Sequence, residues 1–334
     1  MVREERVLLS HGDGGQRMAD LIAEVFVSRL GPSDPPGDDA AQLEAAGRLA
    51  FTTDAFVVDP IFFPGGDIGK LAICGTVNDL ATAGAQPIAL SASFVLEEGL
   101  LISDLERIVD SMAATAAEAG VRVITGDTKV VPRGKADKVY LSTAGVGRIA
   151  EGVFVSGANA RPGDVVLISG AVGDHGLAVL SRREGLEFAS EIVSDCAPLA
   201  GMVQALLAAA PGVHVLRDPT RGGLASALNE IARQSGVTIE VDETAVPVHA
   251  GVAAACDLLG LDPLYAANEG KMVAIVSPDQ AEVALAALRA HPLGTEVAII
   301  GTVEAGTSRV LLLTALGSHR MLDRHVGEQM PRIC

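Results

Sequence analysis

The sequence predicts a two-domain α/β protein with mixed sheets. Three observations carry that expectation. The chain has 334 residues, long for one domain and comfortable for two. Hydrophobic residues make up 49% but aromatics only 3%, with no Trp, so the core must be built from Ala, Val, Leu and Ile, which suits sheets covered by helices. Both halves follow the same mixed grammar of strand-like runs and helical spacing, on either side of a Gly- and Pro-rich stretch at 155–164.

The first forty residues read as a Gly-rich segment: HGDGG at 11–15, a short helix over 17–29, then LGPSDPPGDDAA. Apolar runs at 49–53 and 56–58 read as strands, and GDIGKLAICGTVNDLATAGA (66–85) has helical spacing with Gly at both ends. In the helix SDLERIVDSMAATAAEAG, Ser103 and Glu106 are expected to form a capping box and Gly120 to stop the helix. VRVIT and VYLSTAGVGRI are strands, which completes a first domain over 41–155.

The second domain, 156–315, opens with the strand VVLIS. Helices follow at 174–183, 199–210, 222–236, 249–259 and 279–290, with strands at 213–218, 237–241, 272–276, 297–303 and 309–314. Periodicity is lost after 315, so 316–334 reads as a mobile polar tail ending in Cys334.

Charge and cysteine usage exclude several classes. A net charge of −17 opposes a nucleic-acid surface. The start MVREERVLL has no apolar leader core, and the longest uncharged stretch, 197–216, carries Gln204, Pro211 and His214 and reads as helix, turn and strand rather than a membrane span. A soluble, cytoplasmic protein with reduced thiols is expected. None of its four cysteines forms a C-x-x-C pair, and Cys74, Cys196 and Cys256 read as small core residues.

The aspartates are the main chemical signal. Asp38, Asp39, Asp54, Asp79, Asp127 and Asp218 lie in GDDAA, TTDAF, TVNDLATAG, VITGDTKVV and LRDPTRGGL, several directly after a strand, where open α/β sheets bind ligands. Clustered carboxylates repel unless a cation neutralises them, and Mg²⁺ commonly joins carboxylates to nucleotide phosphates. Lys70, Lys129 and Arg221 sit among them as candidate phosphate partners. No Walker A pattern is present, because Leu71 follows Lys70.

Together HGDGG, GDDAA, TTDAFVVDPIFFPGGDIGKLAICGTVNDLATAGAQP, TGDTKVV, SDCAPL, RDPTRGGLASALNEIA and ANEGKM resemble the aminoimidazole ribonucleotide synthetase (PurM-like) superfamily. Within it, the N-terminal run and the terminal PRIC resemble the HypE family of carbamoyl dehydratases of [NiFe]-hydrogenase maturation. The resemblance spans essentially the whole chain. It implies a homodimer in which N-terminal strands of the two copies pair, with ATP between the domains under the Gly-rich segment. It implies that Asp38, Asp39, Asp54, Asp79, Asp127 and Asp218 hold Mg²⁺ and phosphates. Thr128 and Lys129 would contact the nucleotide, with Asn78, Lys70 and Arg221 as further ligands.

It also explains the last residue. The Cys334 thiol would receive a carbamoyl group from the carbamoyltransferase HypF, and ATP-driven loss of water would turn S–C(=O)–NH₂ into S–C≡N. The cyano group would then pass to iron on the HypC–HypD complex. Lys129 would stabilise phosphoryl charge, and Glu269 in ANEGKM is the candidate base, with His175 in GDHG a weaker one. Fully extended, the tail would span roughly 60 Å, or about 25 Å as a coil, which is enough to reach both an external donor and its own cleft. Two competitors are a selenophosphate synthetase or thiamine monophosphate kinase, and a non-catalytic nucleotide-binding scaffold. The first of these would carry its reactive residue in the N-terminal loop, where HGDGGQRM has none.

Overall fold

Side chains of Arg48–Phe56 alternate between exposed and partly buried positions, the period of a strand with one covered face, and this strand (β1) forms one edge of the N-terminal sheet. The computed structural model describes residues 4–32, 40–186, 191–324, 330, 333 and 334, so Asp38 and Asp39 lie outside the described residues. Ahead of β1, the expected helix over 17–29 forms as α1 (Gln16–Leu21), a π-helical stretch (Ile22–Val27) and α2 (Ser28–Leu30). The HGDGG loop is fastened: buried His11 accepts the Leu8 N–H at Nδ1 across 2.9 Å, and Asp13 accepts the Gly15 N–H across 2.8 Å.

After the short β2 (Phe62–Phe63) and β3 (Gly66–Asp67) comes α3 (Ile68–Thr82), capped by Asp67, which accepts from Gly69 N at 2.7 Å and Lys70 N at 3.1 Å. Almost every residue of α3 is buried, as its all-round apolar sequence requires. Next are β4 (Ala85–Glu97), α4 (Ile102–Glu118), β5 (Arg122–Val131) and β6 (Val139–Ile149). The sheet order is β1-β6-β4-β5, antiparallel except for the parallel β4–β5 pair.

Two local expectations need correction. AQPIALSASFVLE was given no element, yet it is the longest strand among the described residues and lies inside the sheet. It contains Gln86 and Pro87 and ends in Glu97, but pairing on both sides overrides those breakers, with a register shift beside the proline. The Ser103–Glu106 capping box does not form. Leu101 bridges to Arg6, which starts α4 at Ile102, and Glu106 instead takes a hydrogen bond from Arg29 at 3.0 Å.

The C-terminal half contains β7 (Val165–Ile168), α5 (Asp174–Glu184), α6 (Ala200–Ala209), β8 (Val213–Arg217), α7 (Gly223–Ser235), β9 (Val237–Asp242), α8 (Ala250–Leu259), β10 (Val273–Val276), α9 (Ala281–Arg289), β11 (Ala298–Ala305), β12 (Arg309–Leu313) and β13 (His319–Met321). They build a mixed seven-stranded sheet of order β13-β12-β9-β11-β7-β10-β8. The tail is therefore tied down at its start: β13 pairs with β12, and Leu322 is buried in the C-terminal core. One continuous core joins the halves, with Leu71 and Cys74 of α3 in the same cluster as Leu199, Met202 and Val203 around α6. No helix among the described residues is long and apolar enough to cross a membrane.

Candidate active site

The loops at the seam between the two halves converge on the end of the chain. Ile333 is buried and Cys334 partly buried, both packed against the shared core. The Val57 N–H, just past β1, donates to the Cys334 backbone oxygen across 3.2 Å. The Arg221 Nε–H donates to Cys334 Sγ across 3.0 Å. Burial, reinforced by Glu269 and opposed by Arg221, pushes the docked thiol up to about 12.

Glu269 lies beside this thiol with 3% of its surface exposed, and its Oε1 has no hydrogen-bond partner. Burial first, then neighbouring acidic groups, push its carboxyl well above the usual carboxylate range. Its backbone is held from both sides. Asp195 accepts the Glu269 and Gly270 N–H groups, each at 3.1 Å, while Asn78 Nδ2 donates to the Glu269 carbonyl at 3.1 Å. A Cβ on Gly270 would stand 1.8 Å from the Asp195 carbonyl oxygen, so only glycine fits this turn. Asn78 is fully engaged: it also donates to Ala197 O at 3.1 Å and accepts the Leu199 N–H at 2.8 Å, which leaves its amide joining the two halves.

Three of the expected metal ligands come within electrostatic reach of one another here. Thr52 on β1 donates to Asp79 Oδ2 across 2.7 Å, and burial, with a contribution from Asp54, raises the Asp79 carboxyl. Asp218 is pushed up to about 6, first by burial and then by Asp79. Asp54, Asp79 and Asp218 thus repel one another at the mouth of the tail site. Among the described residues, no three His, Cys, Asp or Glu side chains stand close enough to hold an ion together.

The others lie elsewhere. Lys70 on α3 donates to Gly65 O across 3.0 Å. Lys129 and Asp127 are exposed on β5 and pair with each other at 2.9 Å, which holds the Asp127 carboxyl below its usual range, while Thr128 between them is buried. The register Asp54↔Thr143, Thr143↔Ala92, Ala92↔Gly126 puts the neighbourhood of Asp127 three interstrand steps from Asp54. That is about 14 Å across one sheet.

His175 is not an open loop histidine. It is fully buried in the first turn of α5, edge-on to the Phe63 ring at 5.4 Å between centroids, and both ring nitrogens are taken. Nδ1 meets Ser194 Oγ at 2.8 Å and Nε2 meets the Ile333 carbonyl oxygen at 2.7 Å. The sequence reading also gave no role to Asp195 or Asn268. Asn268 accepts the Gly173 N–H at 2.8 Å and donates to Pro219 O at 2.9 Å, joining the turns that carry His175 and Asp218. Their signal lay in the quoted motifs SDCAPL and ANEGKM, where each sits next to a residue that was singled out.

Comparison with known proteins fits this arrangement. The family described as AIR synthase related protein matches through its N-terminal domain at residues 37–149 and its C-terminal domain at 161–313. Carbamoyl dehydratase HypE of Cupriavidus necator is 54% identical over 337 residues, which covers 100% of this chain and 96% of that protein. A crystal structure of the hydrogenase maturation protein HypE in complex with ATP is 51% identical and covers 98% of this chain and 99% of its own, with a TM-score of 0.95. The HypE–HypF complex aligns with a TM-score of 0.82 at 47% identity, over 93% of this chain and 100% of the other. Thiamine-monophosphate kinase of Stenotrophomonas maltophilia, at 23% identity and a TM-score of 0.64 over 84% of this chain and 90% of its own, shares the fold alone. The chain belongs to the HypE family of carbamoyl dehydratases, within the AIR synthase related proteins.

Proposed function

We propose that this protein converts an S-carbamoyl group on its own Cys334 into an S-cyano group at the expense of ATP, as a step of [NiFe]-hydrogenase maturation. One observation carries the reading: the last thiol of the chain is seated between Arg221 and a buried carboxylate with one unpartnered oxygen.

As C=O becomes C≡N, the nitrogen loses both protons and the carbon loses its oxygen. ATP, when bound, supplies the phosphoryl group that lets this oxygen leave as phosphate. Glu269 is the proposed acceptor of one N–H proton, and the departing phosphate, itself a base, would carry off the other. Burial raises the affinity of Glu269 for protons, so it is a stronger base than an exposed glutamate once ionised, and the Arg221 guanidinium favours that ionised form. Arg221 also fixes the sulfur, while the buried setting of the tail excludes water from the carbon.

Asp54, Asp79 and Asp218 are oxygen donors that repel one another but stand too far apart to hold an ion as they are; a hard divalent cation such as Mg²⁺, when bound, would have to draw them together and would relieve that repulsion. Asp38 and Asp39 remain candidates by motif. For ATP, a cavity of about 340 Å³ between the N-terminal helices and the sheet has apolar walls including Phe26, Phe94 and Ile124, with Asp127 and Thr128 at its polar end. Lys129 beside them, with Lys70 on α3, is the candidate phosphate contact.

A homodimer would join these parts. The N-terminal sheet ends in β1 and β5, and Phe51 on β1 is 73% exposed. Two copies that close β1 onto the partner's β5 would cover both edges and bring one copy's Lys129 towards the other's Asp54. HypF as carbamoyl donor, HypC–HypD as cyanide acceptor and a cytoplasmic setting that keeps the thiols reduced complete the proposal.

The test is mass analysis of the terminal peptide. Incubation with the HypF-type carbamoyltransferase should add a carbamoyl group to Cys334, and ATP should then remove the mass of one water. A charged peptide that keeps its water in the presence of ATP would exclude the reading.

A further inference from the structure

The docked tail is held by its backbone as well as by its thiol. The Ile333 carbonyl can only accept a hydrogen bond, so His175 must carry its proton on Nε2. Nδ1 is then an acceptor, and the Ser194 hydroxyl must donate to it, while Ser194 Oγ in turn accepts the Cys196 N–H at 3.1 Å. The chain of donors therefore runs one way, Cys196 to Ser194 to His175 to Ile333, with a neutral imidazole in the middle. Burial acts in the same direction, lowering the proton affinity of this ring.

Groups outside the tail also hold the ring. Phe63 packs against its edge, and the Ser194 N–H donates to Pro64 O at 2.9 Å, which fixes the serine against the same turn. Gly176 follows, and a Cβ there would lie 2.7 Å from the Met330 sulfur, so the residue after the histidine leaves room for the approaching tail. The histidine contacts no reacting atom. Its hydrogen bond to the tail is to the carbonyl next to the reactive residue.

We propose that His175 is the latch of the C-terminal tail: its Nε2–H grips the Ile333 carbonyl and sets how often Cys334 occupies the active site. This rests on the dehydration reading above, but it concerns occupancy of the site and not the chemistry. Because the grip is on main chain, it does not distinguish the free, carbamoylated and cyanated forms of the thiol. One latch therefore serves the tail before and after reaction. Ser194 is a positioning residue, since its hydroxyl selects the tautomer that can donate to Ile333.

The test measures alkylation of Cys334 by iodoacetamide in the full-length protein, because the docked thiol is shielded and the rate reads the undocked fraction. His175→Phe keeps the bulk and removes the donor, and should speed alkylation about three- to tenfold, the weight of one buried hydrogen bond. Ser194→Ala should speed it by a smaller factor. His175→Gln, whose amide can donate at a similar reach, should recover part of the protection. Carbamoylation by the HypF-type enzyme should become faster in His175→Phe, because the acceptor is more often free, while dehydration at saturating ATP slows by a similar factor. Wild-type protection in both His175→Phe and Ser194→Ala would overturn the latch. Should His175→Phe fail to fold, Ser194→Ala decides: an unchanged alkylation rate overturns the proposal. Failure of wild type to lose water would sink the dehydration reading, yet the alkylation series would still decide the latch.

Discussion

Arg221 and Cys334 lie 113 positions apart in the chain, yet the guanidinium Nε–H of the first reaches the sulfur of the second across 3.0 Å. This contact orients the atom that must carry the carbamoyl group. Arg221→Ala should release the thiol and slow dehydration about tenfold, the scale of one charged hydrogen bond. Arg221→Lys should recover little, because a single ammonium cannot reproduce the side-on Nε contact. Single-turnover loss of water from the tail peptide is the readout.

Docking should weaken in base. A free thiol titrates near about 8.5, whereas burial pushes docked Cys334 up to about 12. A group whose proton affinity rises on docking stabilises the docked state fully below its free value. That contribution is lost as pH climbs towards the docked value. Alkylation of a free tail peptide should level off above about pH 9, while alkylation of the protein keeps climbing. If both curves level off together, the buried thiol is not protonated.

Glu269→Gln removes the proposed base without changing shape. Dehydration should fall at least about 100-fold, and S-carbamoylated protein should accumulate. The melting temperature should stay level or rise, because the variant removes an acidic group that burial disfavours. Normal conversion would remove Glu269 from the mechanism.

Asn78→Ala separates a structural from a ligand role. The variant strands the Ala197 carbonyl and the Leu199 N–H, and leaves the Glu269 carbonyl only the longer contact from the Ala197 N–H at 3.4 Å. Unfolding should become easier by about 2–5 kcal/mol, with ATP affinity nearly unchanged in the folded fraction. A large loss of ATP affinity at normal stability would make Asn78 a phosphate ligand after all.

Phe51→Asp places a charge on the exposed edge strand that the proposed dimer covers. Sedimentation should show monomers where wild type shows dimers. Activity should fall with dimerisation if Lys129 acts across the interface.

Much of the fold could be read from local pattern. Asp67 before an apolar helical run, the Gly-closed helix at 223–235 and the short buried strands 165–168 and 273–276 each obey a rule that acts within a few residues. The strand Ala85–Glu97 could not be read so, because its pairing with β6 and β5 overrides a local sequence containing Pro87. The same division runs through the site. Its reactive ends, Cys334, Glu269 and the aspartates, are chemically conspicuous residue types in Gly-rich motifs, and the sequence alone singled them out. Only the tertiary structure decided which of them meet: Asp54, Asp79, Asp218, Glu269 and Arg221 gather around the tail, while Asp127 and Lys129 stand on the far edge of the sheet. It alone turned His175 from a candidate base into a buried donor to Ile333. The physical reason is that motifs report chemical type and local geometry, whereas burial, tautomer and partnership depend on segments more than a hundred residues apart in sequence, which only packing brings together.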